Sequence, residues 1–172
     1  MAINLYENIT LENDRIRLVP MQLSHAKELQ EINHDSIWTY MLFQATTEEA
    51  MSEWIQSAIE LRNQLTSIPF VVILKATGEV VGATRIQHMD YERQSAEIGA
   101  SWFGTKAQRT FINSDSKFLL LEYCFEVLKL LRVQVRADER NVRSNKAIDR
   151  IGFTKEGVIR KERALHGCLL YT

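Results

Sequence analysis

Cysteine, net charge and long apolar runs are what this 172-residue sequence lacks. Its two cysteines, Cys124 and Cys168, offer no disulfide framework and no metal-ligand spacing; Cys124 sits in an apolar stretch and reads as a small core residue. A formal charge of −1 is too balanced for the basic footprint of a nucleic-acid binder, so no such partner is expected. No apolar run approaches the roughly 18 residues a membrane span requires, so no membrane association is expected. His25, His34, His88 and His166 are dispersed without an i, i+4 pair, which speaks against a metal site; His166 reads as a turn residue. The opening MAINLYENITLENDR has no basic segment leading into an apolar one, so a cytoplasmic protein without a signal peptide is expected. GxGxxG, Walker and GxSxG patterns are all missing.

What is present is an ordinary globular balance, 45% hydrophobic and 25% charged, enough for one domain over residues 1–172. Residues 15–20 alternate polar and apolar before a proline, as a strand does. Ser24 then caps a helix to Ile32. Thr46 and Thr47 before Glu48 and Glu49 start a second helix over 47–65, with Ala50, Trp54, Ile55, Ala58 and Leu61 at helical spacing. A hairpin follows, 70–75 and 80–88, turning at Gly78. Residues 95–103 form the next strand. The apolar stripe of 114–129 predicts a buried helix, 132–137 a strand, 142–151 a helix closed by Gly152, and 153–163 a last strand. The order β-α-α-β-β-β-α-β-α-β is an antiparallel meander running into a crossover, which predicts a mixed α/β sheet flanked by helices.

Three sets of residues point to chemistry. The turn after residue 103 leaves the first N–H groups of the following helix free for a phosphate, with Lys106, Arg109 and Thr110 adding two charges and a hydroxyl. On spacing alone, a capped helix start with solvated basic residues is the simpler account of that turn. Asn141 and Ser144 stand as N-cap and N3 of the helix beginning at 142, so capping alone accounts for both. The other reading gives Asn141 a ligand amide and makes the Ser144 hydroxyl a proton donor to a leaving thiolate. Glu97 and Glu162 lie near strand ends, as water-linked bases for an ammonium group or as solvated charges. Together the turn and the N-x-x-S element suit acyl-coenzyme A along the edge of a split sheet.

The strand AEIGASWF, the helix beginning at Lys117 with LLLEYCFEVL, the strand RVQVRADERN and the run N-x-x-S-N-K-A-I-x-x-I-G-F-x-x-E-G-V-x-R resemble the GNAT N-acetyltransferase superfamily. Within it they are most similar to the ribosomal-protein N-terminal acetyltransferase (Rim-type) branch. The resemblance spans nearly the whole chain and is strongest from Ala96 to Arg160. It implies a mostly antiparallel sheet splayed between its fourth and fifth strands, with acetyl-CoA as co-substrate in the gap and no metal. The activity implied is transfer of acetyl from acetyl-CoA to a primary amine, a protein N-terminus or a small molecule, by direct attack. Trp102 and Phe103 would line the pantetheine arm, and Asn141 would bond it. Ser144 would be the general acid. The pyrophosphate would meet the loop around Lys106, Gln108, Arg109, Thr110, Phe111 and Ile112, with Asn113 and Lys117 beyond it.

The sequence departs from the family in three places. Arg109 and Phe111 fill the two glycine positions of the Q/R-x-x-G-x-G/A loop, while R-T-x-x-N-x-x-x-K (Arg109, Thr110, Asn113, Lys117) resembles one branch of it. Arg163, beside Glu162, stands where relatives carry Glu or His, so the base is open between Glu97, Glu162 and solvent. The end at Thr172 is expected to remove the final strand. A CoA-binding module without turnover and a transferase using another acyl-CoA are the alternatives. Trp38, Tyr40, Met41 and Phe43 would line a peptide groove or serve a core or homodimer contact.

Overall fold

The computed structural model describes residues 9–165 and 168–170. His166 and the side chains of Arg163 and Cys168 lie outside what is described. The sheet has six strands in sequence order: β1 (Leu11–Glu12), β2 (Ile16–Pro20), β3 (Ser67–Leu74), β4 (Val80–Asp90), β5 (Ser95–Phe103) and β6 (Arg132–Gln134). All neighbours are antiparallel except β5 and β6, which the intervening crossover makes parallel. That pair matches Ser95 with Arg132, Ala96 with Val133 and Glu97 with Gln134, and then parts. The splay thus falls between the strand 95–103 and the one that begins at 132, where the family resemblance implies it. A separate hairpin joins β7 (Arg163–Leu165) to β8 (Cys168–Leu170). Among the described residues no helix is long and apolar enough to cross a membrane.

Helices cover both faces of the sheet. On one lie α1 (Ala26–Glu31) and α2 (Glu48–Asn63), and on the other α3 (Ile112–Glu122). The α2 helix starts where Thr47 accepts a bond from the Ala50 N–H at 3.2 Å. It buries Met51, Trp54, Ile55 and Ala58, spaced to make one stripe. With α1 and the 3₁₀ turn 35–40 this stripe encloses Trp38, Val71, Ala83 and Trp102. Across the sheet, Leu119 and Leu120 of α3, with Tyr123 just beyond its end, pack on Phe70, Ile86 and Ile98. Cys124 is fully buried there, and burial pushes its thiol up to about 12, as a core residue without reactivity. The carboxylate of Asp115 on α3 takes Arg15 Nη2 at 2.6 Å and Asn13 Nδ2 at 2.9 Å, fastening the β1–β2 turn to that helix.

Several sequence expectations need correction. Ser24 caps nothing: a 3₁₀ turn at Leu23–His25 leads into α1, with Gln22 as its N-cap. The helix expected over 114–129 begins earlier and widens at Tyr123–Val127 into a π turn, in which Leu128 N–H reaches Tyr123 O. The strand expected over 153–163 does not form. Its residues 154–161 are exposed and have no core to enter. Ion pairs hold the segment beside β6 instead, Glu156 to Arg132 at 2.5 Å and Glu162 to Arg136.

Gly82 on β4 faces the start of the site. A Cβ there would stand 2.3 Å from Trp102 O and 2.6 Å from a Phe103 ring carbon. Gly82→Ala therefore forces β4 and β5 apart, and the expected loss is about 1–3 kcal/mol. Urea unfolding of the two proteins measures it.

Candidate functional site

Beyond the Glu97–Gln134 pair, β5 runs on to Phe103 without a β6 partner, and a cleft of about 260 Å³ opens there. Ala100, at φ +47°, lies between the Arg85–Gly99 and Ala83–Trp102 pairs of the β4 ladder, which skips Ala100 and Ser101. This bulge turns Ser101 to the α3 side and Trp102 to the α2 side. The opposite wall is 135–138 and the helix α4 (Val142–Ile151), and the floor is the 104–111 loop with the first turns of α3.

Of the residues nominated from sequence, Trp102, Phe103, Gln108, Arg109, Thr110, Asn113, Lys117, Asn141 and Ser144 line this cleft. Lys106, Phe111 and Ile112 do not. Lys106 is exposed, Phe111 lies under the Arg15 guanidinium at 4.3 Å, and Ile112 is buried in the α3-side core. Glu97 and Glu162 also stand off the lining, gathered at the fork.

Asn141 and Ser144 use different atoms for their two readings. The Asn141 Oδ1 accepts the Ser144 backbone N–H at 3.1 Å, which is helix capping. The Ser144 hydroxyl and the Asn141 amide nitrogen have no hydrogen bond among the described residues. Asp138 sets the turn ahead of them: its carboxylate takes Arg140 N–H and Nε, and those bonds hold its pKa below the usual range. Gly152, at φ +98°, closes α4 in the left-handed conformation.

The loop is held from within. Gln108 Nε2 donates to Phe103 O at 2.9 Å, and Gln108 Oε1 accepts from Arg143 Nη1 at 2.5 Å, tying the loop to α4. Thr110 Oγ1 donates to Ala107 O at 2.6 Å. Arg109 is exposed at φ +62°, so the backbone keeps the conformation of a glycine although an arginine stands there.

Lys117, expected near the pyrophosphate, lines the cleft and turns toward β5. It is 6% exposed, and its Nζ donates to Ser101 Oγ at 2.6 Å, with Thr84 Oγ1 2.7 Å from the same oxygen. Burial lowers its pKa from 10.5 to about 7, opposed by the charge of Glu97. At the fork, Glu97 is 5% exposed and accepts from Gln87 Nε2 at 2.8 Å, Gln134 Nε2 at 3.3 Å and Arg136 Nε at 2.5 Å. The same guanidinium bonds Glu162, and His88 Nδ1 lies 3.5 Å from Glu97. Sequence reasoning missed Arg136, Arg143 and Ser101. Arg143, one residue before Ser144 at a helix start, carried the one signal that was available.

Residues 15–154 match the acetyltransferase (GNAT) domain family. An uncharacterized N-acetyltransferase p20 of Bacillus licheniformis is 28% identical over 163 residues, 94% of this chain and 91% of its own. A GCN5-related N-acetyltransferase from Brucella melitensis superposes with a TM-score of 0.89 at 25% identity, over 96% of this chain and 76% of that one. The microcin C7 self immunity acetyltransferase MccE, solved with acetyl-CoA and AMP, shares the fold at a TM-score of 0.82 and 24% identity, over 92% and 89%.

The lowered pKa of Lys117 has a stability consequence. Between about pH 7 and 10.5 the unfolded lysine holds a proton that the folded one has released, so stability falls as pH drops through that window. Lys117→Met removes this slope. Thermal melts of both proteins from pH 6 to 10 should converge at the alkaline end, with the variant the more stable at pH 7.

Proposed function

Because the chain belongs to the GNAT acetyltransferase family and is an acyl-CoA-dependent N-acetyltransferase, we propose that it moves acetyl from acetyl-CoA to a primary amine by direct attack. The amine is that of a protein N-terminus, as in the Rim-type branch, or of a small molecule. The observation that carries this reading is the parting of β5 from β6 beside a Ser144 hydroxyl that has no hydrogen-bond partner among the described residues.

The residues fit the co-substrate in three places. The α3 N-terminus, the Arg109 guanidinium and nearby Arg143 offer donors and positive charge to a pyrophosphate. From Ile98 onward the edge of β5 away from β4 has no β6 partner, so the N–H groups on that edge would bond the pantetheine and the thioester oxygen. Asn141 presents its amide nitrogen to the same arm. In the transfer, the amine adds to the thioester carbonyl and the carbon–sulfur bond breaks. Ser144 then gives its proton to the departing thiolate. The proton of the incoming ammonium leaves through water to Glu97 or Glu162, the carboxylates Arg136 gathers at the fork.

Ser144→Ala is expected to lower kcat by about 100-fold, within the range of general acid catalysis, while acetyl-CoA affinity changes far less. Thiol release and calorimetry measure the two, and equal losses remove Ser144 from the acid role. Arg109→Gly relieves a left-handed arginine and should add about 1 kcal/mol of stability. It should also weaken acetyl-CoA binding and flatten its salt dependence. An unchanged dissociation constant would make the loop a plain helix cap.

A further inference from the structure

Arg85 projects from β4 toward the α1–α2 side and is 7% exposed, yet its Nε and Nη2 meet no acceptor among the described residues. The buried Nε1 of Trp102 has none either. The guanidinium lies over the Trp54 ring at 4.8 Å, and Trp54 packs on Trp102 with centroids 6.1 Å apart. The buried carboxylates, by contrast, are all matched: Asp115 by Arg15, Glu97 by Arg136 and Asp138 by Arg140. Desolvation lowers the Arg85 pKa to about 10, which leaves it charged at neutral pH. A cation stripped of water and given no counter-charge weakens a fold unless a ligand supplies the anion. Nε and Nη2 form the edge of a guanidinium that takes an oxyanion with two parallel bonds.

The position suits an acceptor. Arg85 pairs with Gly99, while Gln87 pairs with Glu97 on the same face, roughly 7 Å along the strand. Trp102, Gly99, Ile37, Tyr40 and Met41 line the cleft, and Arg85 stands outside that lining, one strand in from Gly99.

We propose that Arg85 and the Trp102 indole N–H form an oxyanion subsite for the acceptor, which carries a carboxylate or phosphate a few ångströms from the amine it presents. This rests on the acetyl-transfer reading above. Two measurements test it separately from that reading.

The first titrates the CoA-free protein with acetate and with inorganic phosphate at constant ionic strength, followed by tryptophan fluorescence. A saturable change is expected for one of them, at least 10-fold weaker in Arg85→Met. The second compares kcat/KM for an amino acid against its amide, and for phosphoethanolamine against ethanolamine. The anionic member of one pair should lead by at least 10-fold, through KM, and Arg85→Met should erase the lead; which pair responds tells carboxylate from phosphate. Acetyl transfer with no anionic preference and no fluorescence response overturns the subsite and leaves the transfer reading intact. Anion binding through Arg85 without transfer to any amine overturns the transfer reading instead. If Arg85→Met does not fold, Arg85→Gln replaces it, and the wild-type ratios decide by themselves.

Discussion

Parallel pairing between β5 and β6 stops after Glu97 and Gln134, and the sheet beyond that point becomes a cleft instead of a core. Two strands parting inside a protein leave backbone donors and acceptors exposed to whatever enters, which a ladder would otherwise satisfy. The fork is held by a side-chain clasp. Arg136 bonds Glu97 on β5 and Glu162 on the returning segment, and Arg132 bonds Glu156 one step earlier. The returning segment thus stays beside β6 without joining its ladder. Had it paired along its length, the sheet edge would be continued there by backbone bonds, and the carboxylates would not converge on Arg136.

The bulge at Ala100 is the second device at the fork. It moves the β5 ladder by one position, so that Ser101 and Trp102 each take the face opposite to the one that alternation from Glu97 would give them. One turns to Lys117 and the other to Trp38 and Trp54. A strand with regular alternation would place the same residue types on faces where these partners are absent.

Much of the fold was legible because its signals are local. Thr47 caps α2, Asn141 caps α4, Gly152 ends it and Gly78 turns the hairpin; each is read from a residue and its near neighbours. The meander and the splay followed from element order and from the family resemblance. What escaped depends on distance in sequence. Arg136 reaches Glu97 across 39 residues and Glu162 across 26, and no pattern in the chain marks that meeting. Lys117 closes the R-T-x-x-N-x-x-x-K motif, but nothing in that motif tells of its bond to Ser101 or of the burial that lowers its pKa. The segment 153–163, expected as a strand, leaves residues 154–161 exposed, and a strand holds only where one face has something to bury it.

The sheet divides the interior into two bodies that share no helix. The core on the α3 side holds the loop, the buried lysine and the inert thiol, while that on the α1–α2 side holds the three tryptophans and Arg85. Changes on one side therefore drift with little consequence for the other, as expected for sites without common partners. A lineage built on this frame can alter one surface generation after generation while the opposite one stays under its own selection. Trp102 crosses that division, packed within one body and forming a wall of the cleft beside the other. At that position the two histories are bound together.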